Sequence, residues 1–204
     1  MSDAQAMESM IEPLCGEGRY DDATAALLRA YGSEILGVLV AMARDESQAA
    51  EAYSMFCEQV WRGMPNFRFE CPCRAWAYTI AKRSLFGLMR RRRAAPDRPC
   101  SASDLPDVVQ RVASTTAPYL RTTYKQELRE IRALLSPEDQ LLLVLRVDKE
   151  LAWNDVARVL SEEEEPGPEQ LQRTSVVLRK RFSRAKTRLA DALRARRAHE
   201  RSEA

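Results

Sequence analysis

The chain has 204 residues, 45% hydrophobic and 30% charged, with a formal net charge of +2. Its one histidine, His199, lies near the C-terminal end, and it has neither a Gly-rich phosphate loop nor a G-x-S-x-G elbow, so most enzyme classes are excluded and no catalytic residue or cofactor is expected. Five cysteines without an export signal speak against a disulfide framework, and no stretch approaches roughly 18 uncharged apolar residues, so a cytoplasmic protein without membrane insertion is expected.

The first residues, 1–17, form an acidic extension that does not read as a secretory leader. From about 20 to 44 the apolar positions Ala25, Leu28, Tyr31, Ile35, Leu36, Val38, Leu39 and Met42 recur at helical spacing and predict one or two helices. Ser47 is the expected N-cap of the next helix, which runs to about Arg62 with Tyr53, Phe56, Val60 and Trp61 at apolar positions. Gly63–Met64–Pro65 ends it, and a loop carries Phe67, Phe69 and Cys71–Pro72–Cys73.

The stretch RAWAYTIAKRSLFGLMRRRR, Arg74 to Arg93, follows without a single acid. On a helical wheel Ala77, Ile80, Ala81, Ser84, Leu85 and Leu88 share the side expected to face the core. Trp76, Thr79, Arg83, Phe86, Gly87 and Arg90 share another side, where rings alternate with cations. Lysine and arginine displace counterions from phosphates, and neighbouring rings stack on unpaired bases. This segment is therefore expected to bind nucleic acid. The plainer alternative makes Trp76 and Tyr78 packing residues with wet edges and the charge run a solvated helix face.

Residues 94–118 carry four prolines among Ser, Thr and Asp, and read as a linker. A helix is expected at about Tyr119–Leu135. Ser136–Pro137–Glu138–Asp139 is a helix start: Ser as N-cap, Pro at the first position, acids in the first turn. The helix Pro137–Val147 is followed by a turn at Asp148–Glu150 and a short helix Leu151–Leu160, on which Trp153 and Asn154 are expected at outer positions. Glu162–Pro168 interrupts the pattern. A last helix, starting near Glu169 or Thr174, buries Leu178, Phe182, Ala185, Leu189 and Leu193 and leaves Ser175, Arg179, Lys180 and Arg184 outside. A short helix, a loop and a basic helix outline a helix-turn-helix. The expected fold is thus all-α: two small helical domains, 18–93 and 119–197, a flexible linker, and a tail at 198–204.

These segments resemble a family. VWRGMPNFRFECPCRAWAYTIAKRSLFGLMRRRR is similar to the promoter-melting region of bacterial RNA polymerase sigma factors of the extracytoplasmic-function (group IV) type. LLSPEDQLLLVLRVDKELAWNDVARVL with LRKRFSRAKTRL resembles that group's promoter-upstream reader. The resemblance implies a non-enzymatic factor that directs core polymerase to promoters. It implies docking on the β′ coiled-coil through Glu51, Ser54, Met55, Glu58 and Gln59, and contact with the β flap. It implies −10 recognition and strand holding by Phe69, Cys71, Arg74, Trp76, Tyr78, Lys82, Arg83 and Arg90, and −35 reading by Ser175, Arg179, Lys180 and Arg184. An anti-sigma factor or other sequestering partner is implied as well.

Two departures stand out. The docking helix keeps one acid, Glu51, where the group usually has an acidic pair. Ser161–Arg173 looks like an insertion of about ten residues in the reader's turn; its run Glu162–Glu165 would be repelled by DNA and is expected to point away. Two other readings stay open: a stand-alone helix-turn-helix regulator that never binds polymerase, and a zinc or redox sensor built on Cys57, Cys71 and Cys73.

Overall fold

The computed structural model describes residues 3–43, 45–94, 135–163 and 165–202, and the regular elements among them are all helical. The chain divides into two compact units, Met1–Arg121 and Thr122–Ala204. The expected linker beyond residue 94 and the helix expected before residue 135 lie outside the described residues.

The first unit is built from α1 (Asp3–Gly16), α2 (Tyr20–Met42), α3 (Glu46–Gly63) and α4 (Cys73–Ala94). Residues 1–17 were expected to be an extension outside the domain. Instead α1 packs on α2 and α4 and seals Ile11 completely. The turn into α2 needs a glycine. Gly18 sits at φ 72°, its N–H reaches the Cys15 carbonyl at 3.0 Å, and Arg19 N–H reaches the Leu14 carbonyl at 2.9 Å. That pair of bonds closes a helix through a left-handed residue, which a side chain would strain.

The periodic apolar stretch forms a single helix, α2, with Asp21 and Asp22 in its first turn, where acids favour the helix dipole. Its 23 residues and mean hydropathy of 1.5 match a membrane span more closely than the composition suggested. Its apolar side chains, however, are covered by α1, α3 and α4, and Leu27, Leu28, Ile35 and Leu39 are at most 1% exposed. Burying each contributes roughly 1.5–3 kcal/mol. α2 is the core helix of this unit.

The cap of α3 differs from expectation. Asp45, not Ser47, accepts the Gln48 N–H at 2.7 Å, and Ser47 lies exposed in the first turn. A carboxylate makes the stronger cap, because it is charged and faces the positive helix end. A short 3-10 turn, Met64–Asn66, ends α3 as the Gly–Met–Pro sequence predicts, with Met64 driven into the core.

In the second unit, α5 (Pro137–Leu143) starts as predicted, with Ser136 Oγ accepting the Asp139 N–H at 3.2 Å. It widens into a π-helical turn at Val144–Asp148. Glu150 then reverses the chain at φ 53°. α6 (Trp153–Leu160) begins two residues later than expected, and α7 runs from Pro168 to Ser202. Leu142, Leu145, Val156, Val159, Leu178 and Ala185 form the interior. The Leu193 side chain lies outside the described residues. Asp139, buried in α5, receives Arg181 from α7 and ties these two helices together.

Candidate nucleic-acid interface

The inner stripe of α4 is as the wheel predicts: Ala77, Ile80, Ala81, Ser84, Leu85 and Leu88 are buried. Because these residues fix the rotation of the helix, Trp76, Arg83, Phe86 and Arg90 are turned away from the core, Arg83 and Arg90 being exposed. Thr79, on the same side, is buried and donates to the Ala75 carbonyl.

At the mouth of α4 three rings gather. Trp76 stacks on Phe67 with centroids 4.4 Å apart, and Phe67 tilts against Phe69 at 4.6 Å. All three are half-buried, and Arg68 beside them is exposed. The indole also lies against Gly63, where a Cβ would come within 3.1 Å of Cζ2. Phe69 holds φ 56°, a left-handed backbone that bulky residues rarely adopt. The loop is therefore shaped by something other than local preference. Cys71 is half-buried within it.

Two residues expected on the strand-holding surface are elsewhere. The Tyr78 ring is only 1% exposed, and its hydroxyl donates to Glu34 of α2 at 2.6 Å. Burial first, then that hydrogen bond, pushes its pKa far upward. Arg74 pairs with the same Glu34 carboxylate. Burial works against the Arg74 charge, but the Glu34 bond outweighs it and raises the pKa. Arg74 and Tyr78 thus clamp α4 onto α2. Lys82, one turn on, is half-exposed. The signal for the clamp was Glu34, a lone acid midway along an apolar helix.

The residues assigned to polymerase docking lie on α3, but several face α4. Arg92 donates to Glu51 at 2.6 Å and lies 3.9 Å from Asp45. Arg91 reaches the Met55 sulfur at 2.9 Å, and Met55 is 9% exposed. Gln59 accepts from Ser84, and Glu58 pairs with Arg62 on its own helix at 2.8 Å. Ser54 is half-buried. So the basic end of α4 answers the acids of α3, and Glu51 and Met55 are not freely presented.

Among the described residues no group of three or more His, Cys, Asp or Glu stands close enough to hold an ion. Cys57 and Cys73 are buried, and burial pushes the Cys57 thiol up to about 12. A thiol held protonated is a poor ligand and a poor nucleophile.

In the second unit, Arg179, Lys180 and Arg184 are exposed on α7 as expected. Ser175 is not: it is 3% exposed and donates to the Gln172 carbonyl at 2.8 Å. It lies towards the side of α7 that holds Leu171, Leu178 and Phe182, which the spacing of the apolar stripe alone did not reveal. Trp153 is also not an outer position. Its ring meets the Phe182 edge at 5.5 Å, with Arg146 and Arg179 at 5.2 and 5.5 Å from its centroid. Two cations therefore share the indole.

The apparent insertion is shorter than its sequence suggests, since Pro168–Arg173 are helical and the loop proper is Ser161–Gly167. Pro168 takes the first helical position, where its missing N–H costs nothing. Glu162, Glu163 and Glu165 are exposed on this loop. On α7 the residues that sequence reasoning missed are Val176 and Val177, both exposed, and Arg188, which lines a groove with Asp139, Val177, Lys180, Arg181 and Arg184.

Residues 27–95 match the family described as sigma-70 region 2. Over 143 residues the chain is 27% identical to RNA polymerase sigma factor YlaC of Bacillus subtilis (strain 168), an alignment covering 70% of this chain and 82% of that protein. No solved structure matches the chain significantly. The region 2 match begins within α2 and closes just past α4, so it spans the ring cluster, the Glu34 clamp and the α3 acids together.

Proposed function

Because this chain belongs to the bacterial RNA polymerase sigma factors of the extracytoplasmic-function type, we propose that its two units divide promoter recognition between them. The first unit recognises the −10 element and holds the opened strand. The second binds the −35 element through α6 and α7 used as a helix-turn-helix. The factor acts in the cytoplasm on core polymerase, docks through α3 on the β′ coiled-coil, and is held in check by an anti-sigma factor or a similar device.

One observation carries the first assignment: the Trp76–Phe67–Phe69 cluster lies next to exposed Arg68, and its Trp76 stands on the helix that also exposes Arg83 and Arg90, away from the core stripe. Rings supply stacking worth roughly 1–3 kcal/mol per unpaired base, and guanidinium groups supply backbone affinity. Arg74 and Tyr78 take a supporting part. By fixing α4 against α2 they set where the indole stands. For docking, the Glu51–Arg92 pair implies that polymerase meets α3 beside the basic end of α4 rather than a bare acidic face.

The region 2 match favours a polymerase-bound factor over a stand-alone regulator. The test is reconstitution with core RNA polymerase and run-off transcription on genomic templates. Co-purification and discrete transcripts that depend on this chain are expected. Duplex binding by a chain that never co-purifies with polymerase would instead establish the regulator reading.

A further inference from the structure

The solvent side of α7 carries two adjacent valines that its fold does not explain. Val176 is 49% exposed and Val177 63%, while Leu171, Leu178 and Ala185 of the same helix are buried. β-branched residues are not chosen for helix propensity. Neither valine contributes to the interior. Yet they sit in the middle of a strongly basic segment: from Gln170 to Ala190, α7 carries Arg173, Arg179, Lys180, Arg181, Arg184, Lys186 and Arg188 and no acid.

Helical spacing aligns these residues. Arg173, then either Val176 or Val177, then Lys180 and Arg184 follow at steps of three or four, so the two valines stand side by side on one stripe with these cations, and all five residues are exposed. The cations off the stripe are engaged, and on it Arg173 pairs with Glu169 of the same helix at 3.3 Å. Arg179 lies over Trp153, Lys186 over Phe182, and Arg181 on Asp139. The stripe is about 16 Å long, which is about five base pairs of duplex. It therefore offers a short line of cations interrupted by one apolar step.

We infer that Val176 and Val177 read the C5-methyl groups of thymine in the major groove of the upstream promoter element, flanked by Lys180 and Arg184. The inference rests on the second unit binding that duplex. The charge of the stripe selects a polyanion. Within the major groove the thymine methyl is the apolar group presented at the base edges, and aliphatic side chains meet it. Lysine and arginine hold phosphates or guanine; a valine can do neither. The valines therefore determine sequence preference, and Arg173, Lys180 and Arg184 supply affinity.

The test uses the full chain bound to core polymerase and a duplex carrying the upstream element of a promoter it transcribes. Each thymine is replaced in turn by deoxyuridine, which lacks only the methyl. At one or two positions binding weakens about fourfold, the worth of burying one such group. Val176→Ala or Val177→Ala gives a similar loss on the thymine duplex and no further loss on the deoxyuridine duplex. Both variants keep the salt dependence of binding, whereas Lys180→Ala lowers it. If no deoxyuridine position matters, or if the valine variants weaken both duplexes alike, the inference is wrong although the second unit still binds DNA. Valine variants with unchanged DNA binding but a lost protein partner would reassign the pair to that partner. No binding of the upstream duplex at all would bring down the underlying reading as well.

Discussion

Glu34 is the most informative single residue to remove. Its carboxylate accepts the Tyr78 hydroxyl at 2.6 Å and pairs with Arg74, joining α2 to α4. In Glu34→Ala the Tyr78 hydroxyl, on a residue 1% exposed, loses the acceptor it has in Glu34. An unsatisfied buried hydroxyl costs about 2 kcal/mol. Arg74, with 29% of its side chain exposed, recovers part of its loss from water, leaving about 1 kcal/mol. The expected total is about 3 kcal/mol. Tyr78→Phe removes the donor instead and costs about 1.5 kcal/mol. The double variant should cost about 3 kcal/mol rather than the sum, a coupling of about 1.5 kcal/mol. Urea unfolding of the full chain in a Trp153→Phe background leaves Trp61 and Trp76 to report the first unit. Additive effects, or a Glu34→Ala loss below about 0.5 kcal/mol, would refute the clamp.

Three further outcomes are expected. Asp45→Ala should destabilise the first unit by about 1 kcal/mol in the same urea assay, while Ser47→Ala should be close to neutral, because the cap of α3 is Asp45. In Gly63→Ala the added methyl pushes against the Trp76 indole, 3.1 Å from Cζ2; the gain in helix propensity, about 1 kcal/mol, offsets the crowding, so stability changes little while Trp76 emission shifts and promoter opening slows. Raising the pH should weaken the first unit, since the folded Cys57 thiol titrates near about 12 against an ordinary 9.0. Its stabilising effect is complete below pH 9 and is lost between about 9 and 12, at about 1.4 kcal/mol per pH unit, and Cys57→Ala should reduce that slope in unfolding curves taken from pH 8 to 11, leaving the part that Tyr78 contributes at the alkaline end.

What could be read directly from sequence were features written in local spacing. The apolar stripes of α2 and α4, the Gly–Met–Pro break and the Ser136–Pro137 start depend on residues within a turn or two of one another, and each appears where the spacing puts it. The ring cluster was half legible, since Phe67, Phe69 and Trp76 are near neighbours in the chain, but their stacking depends on the room that Gly63 leaves. The clamp was not legible, because Glu34 lies 40 and 44 residues from the cation and the phenol it holds. A wheel puts Tyr78 at the margin of the apolar stripe, three and seven residues before Ala81 and Leu85, but the carboxylate that α2 supplies to its hydroxyl is not written in that spacing. Distance in sequence also hid the Glu51–Arg92 pair, 41 residues apart, which turns a basic end read as DNA-binding towards α3. α1 was missed for another reason: its acids suggested a solvated tail, whereas Ile11 is sealed in the interior.

The most direct measurement of strand holding follows duplex melting at the −10 element by 2-aminopurine fluorescence, using polymerase assembled with the chain or with its Trp76→Ala variant. The account predicts that the variant assembles with core enzyme as tightly as the parent but opens the promoter at least about fivefold more slowly, the loss of one stacking contact of about 1–3 kcal/mol. Opening at the parental rate, or an equal loss of assembly and opening, would mean that the indole only completes the packing between Phe67 and Gly63.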